Sequence, residues 1–180
     1  SGSDISALIR MAVQHYQFEI IHPFYLENGR TGRLLNLLFL QQHGVLPYPV
    51  LPLSEFIQKN KIEYYHLHQQ VKAQNEWAEW ILFMLRGLEQ TTRQTLNHAQ
   101  EIQLQYQKIT NLVQQKAPSI YSKSLIDLIF ERPYCKIEYL EEFGIAKRKA
   151  AGKYLHTLEQ IGVLQMMKIG KENIFINTFK

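Results

Sequence analysis

Ile21-His22-Pro23-Phe24-Tyr25-Leu26-Glu27-Asn28-Gly29-Arg30-Thr31-Gly32-Arg33 is a short polar stretch set between two apolar-periodic runs. One run ends at Ile20; the other begins at Leu34 and continues through Leu35, Leu37, Leu38, Phe39 and Leu40. Pro23 biases His22 away from the right-handed helical region, so a helix is expected to end there. Asn28-Gly29 predicts a tight turn, and Arg30 onward predicts a helix start. A loop feeding a helix N-terminus aims free backbone N–H groups outward, which favours bound phosphate. Arg30 and Arg33, three apart on the first turn, add charge-assisted bonds to the same anion. His22 at the loop mouth can take a proton near neutral pH. The chemistry implied is phosphoryl or nucleotidyl transfer.

Working outward, Ile5, Leu8, Ile9, Ala12, Val13 and Tyr16 follow the spacing of a core-facing helix, with Asp4 as its expected cap. The helix from Arg30 to about His43 is apolar nearly all round, which predicts a central position, and Gly44 closes it. Residues 44–52, with three prolines, read as a connector. Ser54 is the expected N-cap of the next helix, and a helical pattern covers Ile62 to Val71. From about Glu76 a broad apolar stripe holds Trp77, Trp80, Ile81, Met84, Leu85 and Leu88. It runs on, or breaks once, to Lys116, with Trp77 and Trp80 expected in the core.

The character of the chain changes at Ala117-Pro118, which predicts two domains, 1–117 and 118–180. In the second, Ser122–Arg132, Ile137–Phe143 and Ala146–Ile161 read as helices. Two β-favouring runs follow, Val163–Ile169 and Asn173–Asn177, joined by Gly170-Lys171-Glu172. Three helices and a hairpin is winged-helix order.

At 180 residues the chain can bury a real core, and its 46% apolar and 20% charged shares are ordinary for a globular protein. No apolar run approaches membrane-spanning length. The single cysteine, Cys135, excludes an internal disulfide and points to a core position in a reducing, cytoplasmic compartment. A net charge of +4 does not by itself argue for nucleic acid. Ser1-Gly2-Ser3 reads as an expression remnant, so natural sequence is expected further N-terminally.

The opening stretch resembles the signature of Fic (Fido-fold) proteins, HPFx(D/E)GNGRxxR. The resemblance extends from Ser6 to Glu89, through Ala12–Glu19, Pro49–Ser54, Tyr64-Tyr65 and Trp77–Trp80. It implies a mainly α fold: a helical Fic core, its N-terminal helices and target-docking flap upstream of this segment, followed here by a small winged helix. It further implies an ATP-dependent protein adenylyltransferase that moves AMP onto a Ser, Thr or Tyr hydroxyl of a target protein, with His22 as general base. Asn28 and the backbone of Gly29, Arg30, Thr31 and Gly32 would cradle phosphate, Arg33 would hold the γ-phosphate, and Tyr64 and Tyr65 would lie near the base. Helix packing is the competing reading for the tyrosines. In this chain Leu26 and Glu27 stand where the family has an acid and then a glycine. That acid is the family's Mg²⁺ ligand. Leucine offers no oxygen donor, so Glu27 becomes the candidate metal ligand.

Two readings of function follow. In one, the chain is an active adenylyltransferase using ATP and Mg²⁺. In the other, it is a catalytically impaired Fic scaffold that binds or regulates through its winged helix, or as a homodimer. Lys147, Arg148, Lys149, Lys153, Lys168 and Lys171 fit a DNA contact, but Glu138, Glu141 and Glu142 break up the basic face and fit protein docking equally well. His15, His43, His66, His68, His98 and His156 form no metal-ligand pattern, and no inhibitory (S/T)xxxE(G/N) helix is found.

Overall fold

The computed structural model describes residues 5–170 and 172–178. Asp4 and Lys171, which the sequence marks as a helix cap and a wing residue, lie outside the described residues. Eight α-helices and a small antiparallel sheet make a mainly α fold. Two compact units divide at His98/Ala99.

The first unit begins with α1 (Ala7–Ile21) and α2 (Asn28–Gln42), joined by the signature loop. Ser6 caps α1, its Oγ accepting from the Leu8 amide at 3.3 Å. Then come α3 (Leu53–Lys59), α4 (Lys61–Gln74) and the start of α5 (Trp77–Lys116), an unbroken 40-residue helix. The core joins Met11, Ala12 and Tyr16 of α1 to Leu40 of α2, Phe56 of α3, Leu67 of α4, and Trp80, Phe83 and Met84 of α5. Trp80 is fully buried and donates its indole N–H to the Ala12 carbonyl at 2.9 Å. Trp77 packs on the same core from its edge.

Three local expectations are corrected. Helix α2 starts at Asn28, two residues before Arg30, because Glu27 takes the left-handed cap position (φ 67°) and Asn28-Gly29 enter the first turn. The N-cap of α3 is Pro52; Ser54 sits inside the helix, where its hydroxyl accepts from Arg33. Helix α2 is not central either. Its buried residues are Asn28, Gly32, Asn36 and Leu40, a mostly polar and small stripe at four-residue spacing, while Leu34 and Leu38 are exposed.

Gly32 explains that stripe. A Cβ at position 32 would meet Glu19 Oε1 at 3.0 Å, Phe18 Cδ1 at 3.1 Å and His15 Cε1 at 3.3 Å. The antiparallel α1–α2 pair therefore closes on a residue without a side chain.

The second unit has its own core. Ile109 and Val113 near the end of α5 are buried with Leu125 and Ile129 of α6 (Lys123–Glu131), Leu140 of α7 (Ile137–Glu142) and Leu155 of α8 (Arg148–Gln160). The composition change at Ala117-Pro118 thus falls nineteen residues after the contact boundary, because the last turns of α5 serve the C-terminal core. Ser122 caps α6 through the Leu125 amide at 3.2 Å. Strands β1 (Tyr134–Cys135), β2 (Leu164–Ile169) and β3 (Glu172–Asn177) form an antiparallel sheet in the order β1-β3-β2. The hairpin register runs from Leu164↔Asn177 to Ile169↔Glu172, and Cys135↔Phe175 places the two-residue β1 on its far edge. Cys135 is a buried thiol, and burial pushes its pKa up to about 11.

Helix α5 passes α3 through Gly87, where a Cβ would lie 2.6 Å from Cδ1 of the buried Phe56 ring. Gly87→Val should destabilise the first unit by about 2 kcal/mol, as overpacked cores do. A lowered urea midpoint with an unchanged m-value checks this.

Candidate functional site

The loop between α1 and α2 is fixed at both ends by residues in the left-handed region. His22 (φ 48°, ψ 55°) is the C-cap of α1, its N–H bonded to the Phe18 carbonyl at 3.1 Å. Pro23 ensures that the helix goes no further. Glu27 (φ 67°, ψ 20°) is the N-cap of α2 and makes no side-chain cap bond. Left-handed backbone costs a residue bearing a Cβ roughly 1–2 kcal/mol. Two such residues five positions apart make this the most strained stretch among the described residues.

Asn28 holds the strained loop together. Its Oδ1 accepts from the Phe24 N–H at 3.0 Å and its Nδ2 donates to the Phe24 carbonyl at 2.6 Å. These two bonds fix which end of the amide is which. The same Nδ2 lies 3.2 Å from Nδ1 and 3.3 Å from Nε2 of His22. An amide N–H can donate only to a ring nitrogen that carries no proton, so Asn28 competes for the same ring lone pair that would accept a proton. Asn28 is buried, whereas His22 is exposed.

Downstream, the Thr31 N–H makes the first backbone bond of α2, to Glu27 O at 3.0 Å. The amides of Asn28, Gly29 and Arg30 stand at the open helix end. The Thr31 hydroxyl is turned back onto the same Glu27 carbonyl at 3.0 Å. Arg30 is exposed and pairs with the Glu27 carboxylate at 3.0 Å. A surface pair of this kind is worth under about 1 kcal/mol. Arg33 is half-buried, and its Nε donates to Ser54 Oγ at 2.8 Å. Its Nη1 lies 3.0 Å from where a Cβ on Gly29 would be, so the guanidinium folds back along the first turn and Gly29 gives it room.

The sequence-derived set is thus partly assembled. His22, Asn28, Gly29, Arg30, Gly32 and Arg33 meet around the loop and the α2 terminus. Leu26 is exposed, and Glu27 is committed to Arg30. Tyr64 is buried, with its hydroxyl on His15, while Tyr65 is exposed. Among the described residues no group of three or more His, Cys, Asp or Glu is arranged to hold a metal.

Two further residues stand directly behind the loop. His15 and Glu19, one turn apart on α1, face Gly32. His15 is fully buried and its Nε2 lies 3.1 Å from the Tyr64 hydroxyl. Burial lowers its pKa to about 4 and the Arg33 charge adds to this, while the nearby Gly32 carbonyl opposes it without forming a hydrogen bond of good geometry. Burial raises the Glu19 carboxyl, partly offset by Arg33 and His22. Burial also raises the Tyr64 phenol, reinforced by Glu19. The available signal was their place in the apolar stripe of α1, where polar residues are costly.

Comparison with known proteins agrees with this geometry. A Fic/DOC family model matches residues 2–40, and the model for the C-terminal domain of SoFic-like protein adenylyltransferases matches residues 105–179. The chain is similar to the protein adenylyltransferase fic-1 of Caenorhabditis elegans, 38% identical over 61 residues. That match covers 34% of this chain and 11% of the relative, so the chain spans about a tenth of that protein. Together these matches support a Fic-family protein.

His15 makes stability depend on pH. Above pH 6.5 both folded and unfolded rings are neutral and the full stability is present. As pH falls from 6.5 towards about 4 the unfolded ring takes a proton that the folded ring refuses, so stability is lost across that window. The loss reaches roughly 3 kcal/mol. His15→Gln should flatten this slope, measurable by chemical denaturation at stepped pH.

Proposed function

We propose that this chain carries the transfer centre of a protein adenylyltransferase. The observation that carries the reading is a single juxtaposition: the His22 ring against the Asn28 amide, at the open N-terminus of α2, with Arg30 and Arg33 on its first turns. Free amides and two guanidiniums suit a nucleoside triphosphate. The family description and the relative's name support ATP as that nucleotide and a protein as acceptor. In the reaction so read, the acceptor hydroxyl oxygen bonds to the α-phosphorus, its proton passes to the unprotonated nitrogen of His22, and pyrophosphate leaves. The hydroxyl must take the ring lone pair that the Asn28 amide now approaches.

The donor set for the family's Mg²⁺ does not fit. Position 26 presents an exposed leucine, and the loop's own carboxylate, Glu27, is bonded to Arg30. The same two observations favour a second reading, an impaired Fic scaffold whose C-terminal unit makes the biologically relevant contact. There α8 and β2 carry Lys149, Lys153 and Lys168, while Arg148 faces Glu141 at 3.9 Å. A winged-helix role for residues 118–180 and a cytoplasmic setting belong to this proposal as well.

His22→Ala should abolish AMP incorporation into protein while leaving nucleotide affinity within about twofold, because a general base acts on the attacking hydroxyl and not on ground-state phosphate binding. Equal incorporation by variant and parent excludes the role. The readings are separated by Leu26→Asp with Glu27→Gly. This change puts an acid at the family position, relieves the left-handed strain at 27 and frees Arg30. If the parent is impaired, the double variant gains Mg²⁺-dependent ATP affinity on the order of tenfold, the worth of about 1.4 kcal/mol. No gain, read by calorimetry with and without Mg²⁺, favours Glu27 as a working ligand.

A further inference from the structure

The two arginines at the head of α2 are held in different ways. Arg30 pairs with the Glu27 carboxylate, whereas among the described residues Arg33 makes no ion pair. The side-chain bond of Arg33 runs from Nε to Ser54 Oγ at 2.8 Å. Ser54 is the second residue of α3, and its hydroxyl takes no part in capping that helix, whose N-cap is Pro52. Its place is set by its neighbour Leu53, which is buried, with Cδ1 3.2 Å from where a Cβ on Gly87 of α5 would be. The first turn of α3 is thus pinned to the core, while Ser54 itself is exposed. A guanidinium is planar and rigid, so a bond that fixes Nε restricts the directions of the N–H groups on Nη1 and Nη2. Those nitrogens pass over Gly29: Nη1 lies 3.0 Å, and Nη2 and Cζ 3.7 Å, from where its Cβ would be. Gly29 belongs to the first turn of α2, at whose open end the free amides stand. A hydroxyl also differs from a carboxylate as an anchor. It accepts the Nε proton and leaves the positive charge of Arg33 uncancelled, so it does not compete with an incoming anion.

We propose that Ser54 is a positioning residue, whose hydroxyl holds the Arg33 guanidinium over the first turn of α2 before a polyphosphate arrives. This deepens the nucleotide-binding reading above and rests on it for the phosphate; the pose rests on the Ser54 bond. An arginine ordered in advance loses less freedom when its ligand binds, so the anchor acts on affinity and not on stability.

The test uses the whole chain with Ser54→Ala, which removes the hydroxyl and favours the helix, and Ser54→Thr, which keeps a hydroxyl. In nucleotide-free protein the heteronuclear NOE of the Arg33 Nε–H should fall in Ser54→Ala to that of a mobile arginine and stay at the parent value in Ser54→Thr. The melting temperature of Ser54→Ala should stay equal or rise. An NOE that is the same in parent and Ser54→Ala overturns the proposal. So does a melting temperature lowered by several degrees, because the residue would then be a structural one. Calorimetry with ATP and with AMP supplies the second readout. Ser54→Ala should reduce the preference for ATP on the order of fivefold, a size set by the ordering of one long side chain, with AMP affinity unchanged. Ser54→Thr should keep the preference, and Arg33→Ala should remove it. A preference left intact by Ser54→Ala overturns the role of Ser54 even where the NOE falls. A parent without any preference refutes the phosphate reading of Arg33, and the proposal with it.

Discussion

Everything at the site depends on how closely α1 and α2 approach at Gly32. With a hydrogen where any other residue has a side chain, the backbone of α2 packs on Phe18, Glu19 and His15 so closely that a methyl group would make those side chains give by a few tenths of an ångström. That contact sets the hairpin, and the hairpin sets how far the loop must reach. Six residues, 22–27, close the gap, and they do so only with left-handed backbone at both ends. Asn28 then ties Phe24 down by two bonds and lies against His22. His22, the open amides of α2 and the two arginines are therefore placed by one helix–helix contact, with the loop itself adding little freedom.

Much of this was legible in the sequence, and the failures have definite causes. The polar stretch between two apolar runs marked the loop, and His22, Asn28, Arg30 and Arg33 lie together as their spacing implies. The α2 start was misplaced because Asn-Gly is a strong turn signal. What decides the helix start is the left-handed cap at Glu27, and no propensity scale favours glutamate there. The central position expected for α2 failed because counting apolar residues ignores which of them fall at four-residue spacing. Asn28, Gly32 and Asn36 do, and they face inward, leaving Leu34 and Leu38 outside. Ser54 looked like a cap by composition, but its hydroxyl answers Arg33 across the fold, a partner twenty-one residues away. The two-residue β1 carries no periodicity to read; only pairing with Phe175 and Ile176 makes it a strand.

The first unit spends stability on the facing sides of α1 and α2. Among its buried polar groups, His15 is held neutral, Asn36 has neither amide atom bonded to protein, and Glu19 has one oxygen unpaired. All three sit on the facing sides of α1 and α2, near the loop and its strained caps. Trp80, which stacks on His15 from α5, has its indole N–H satisfied by the Ala12 carbonyl, while His68 on α4 leaves its Nε2 unpaired against the same aromatic cluster. Unpaired polar atoms in this unit thus lie both on the α1–α2 face and under α4, each a local cost that the apolar core has to offset.

The exchange at positions 26 and 27 affects charge more than shape. Where the family signature has glycine, Glu27 adopts the left-handed backbone that a glycine adopts freely, so the turn survives at the cost of strain. It survives because the bonds that close the loop come from Asn28 to the Phe24 backbone and involve neither the Leu26 nor the Glu27 side chain. What changes is electrostatic. The acid has moved one residue along the chain, out of the metal-facing position and within 3.0 Å of Arg30, where it neutralises one of the two cations at the helix end. A triphosphate arriving here must displace that carboxylate from Arg30. Since the pair is solvent-exposed, the displacement costs under about 1 kcal/mol, little beside what one charge-assisted phosphate contact returns. The altered loop therefore keeps the backbone of its turn and the open end of α2, while its carboxylate faces Arg30 and not the position where the signature has its acid.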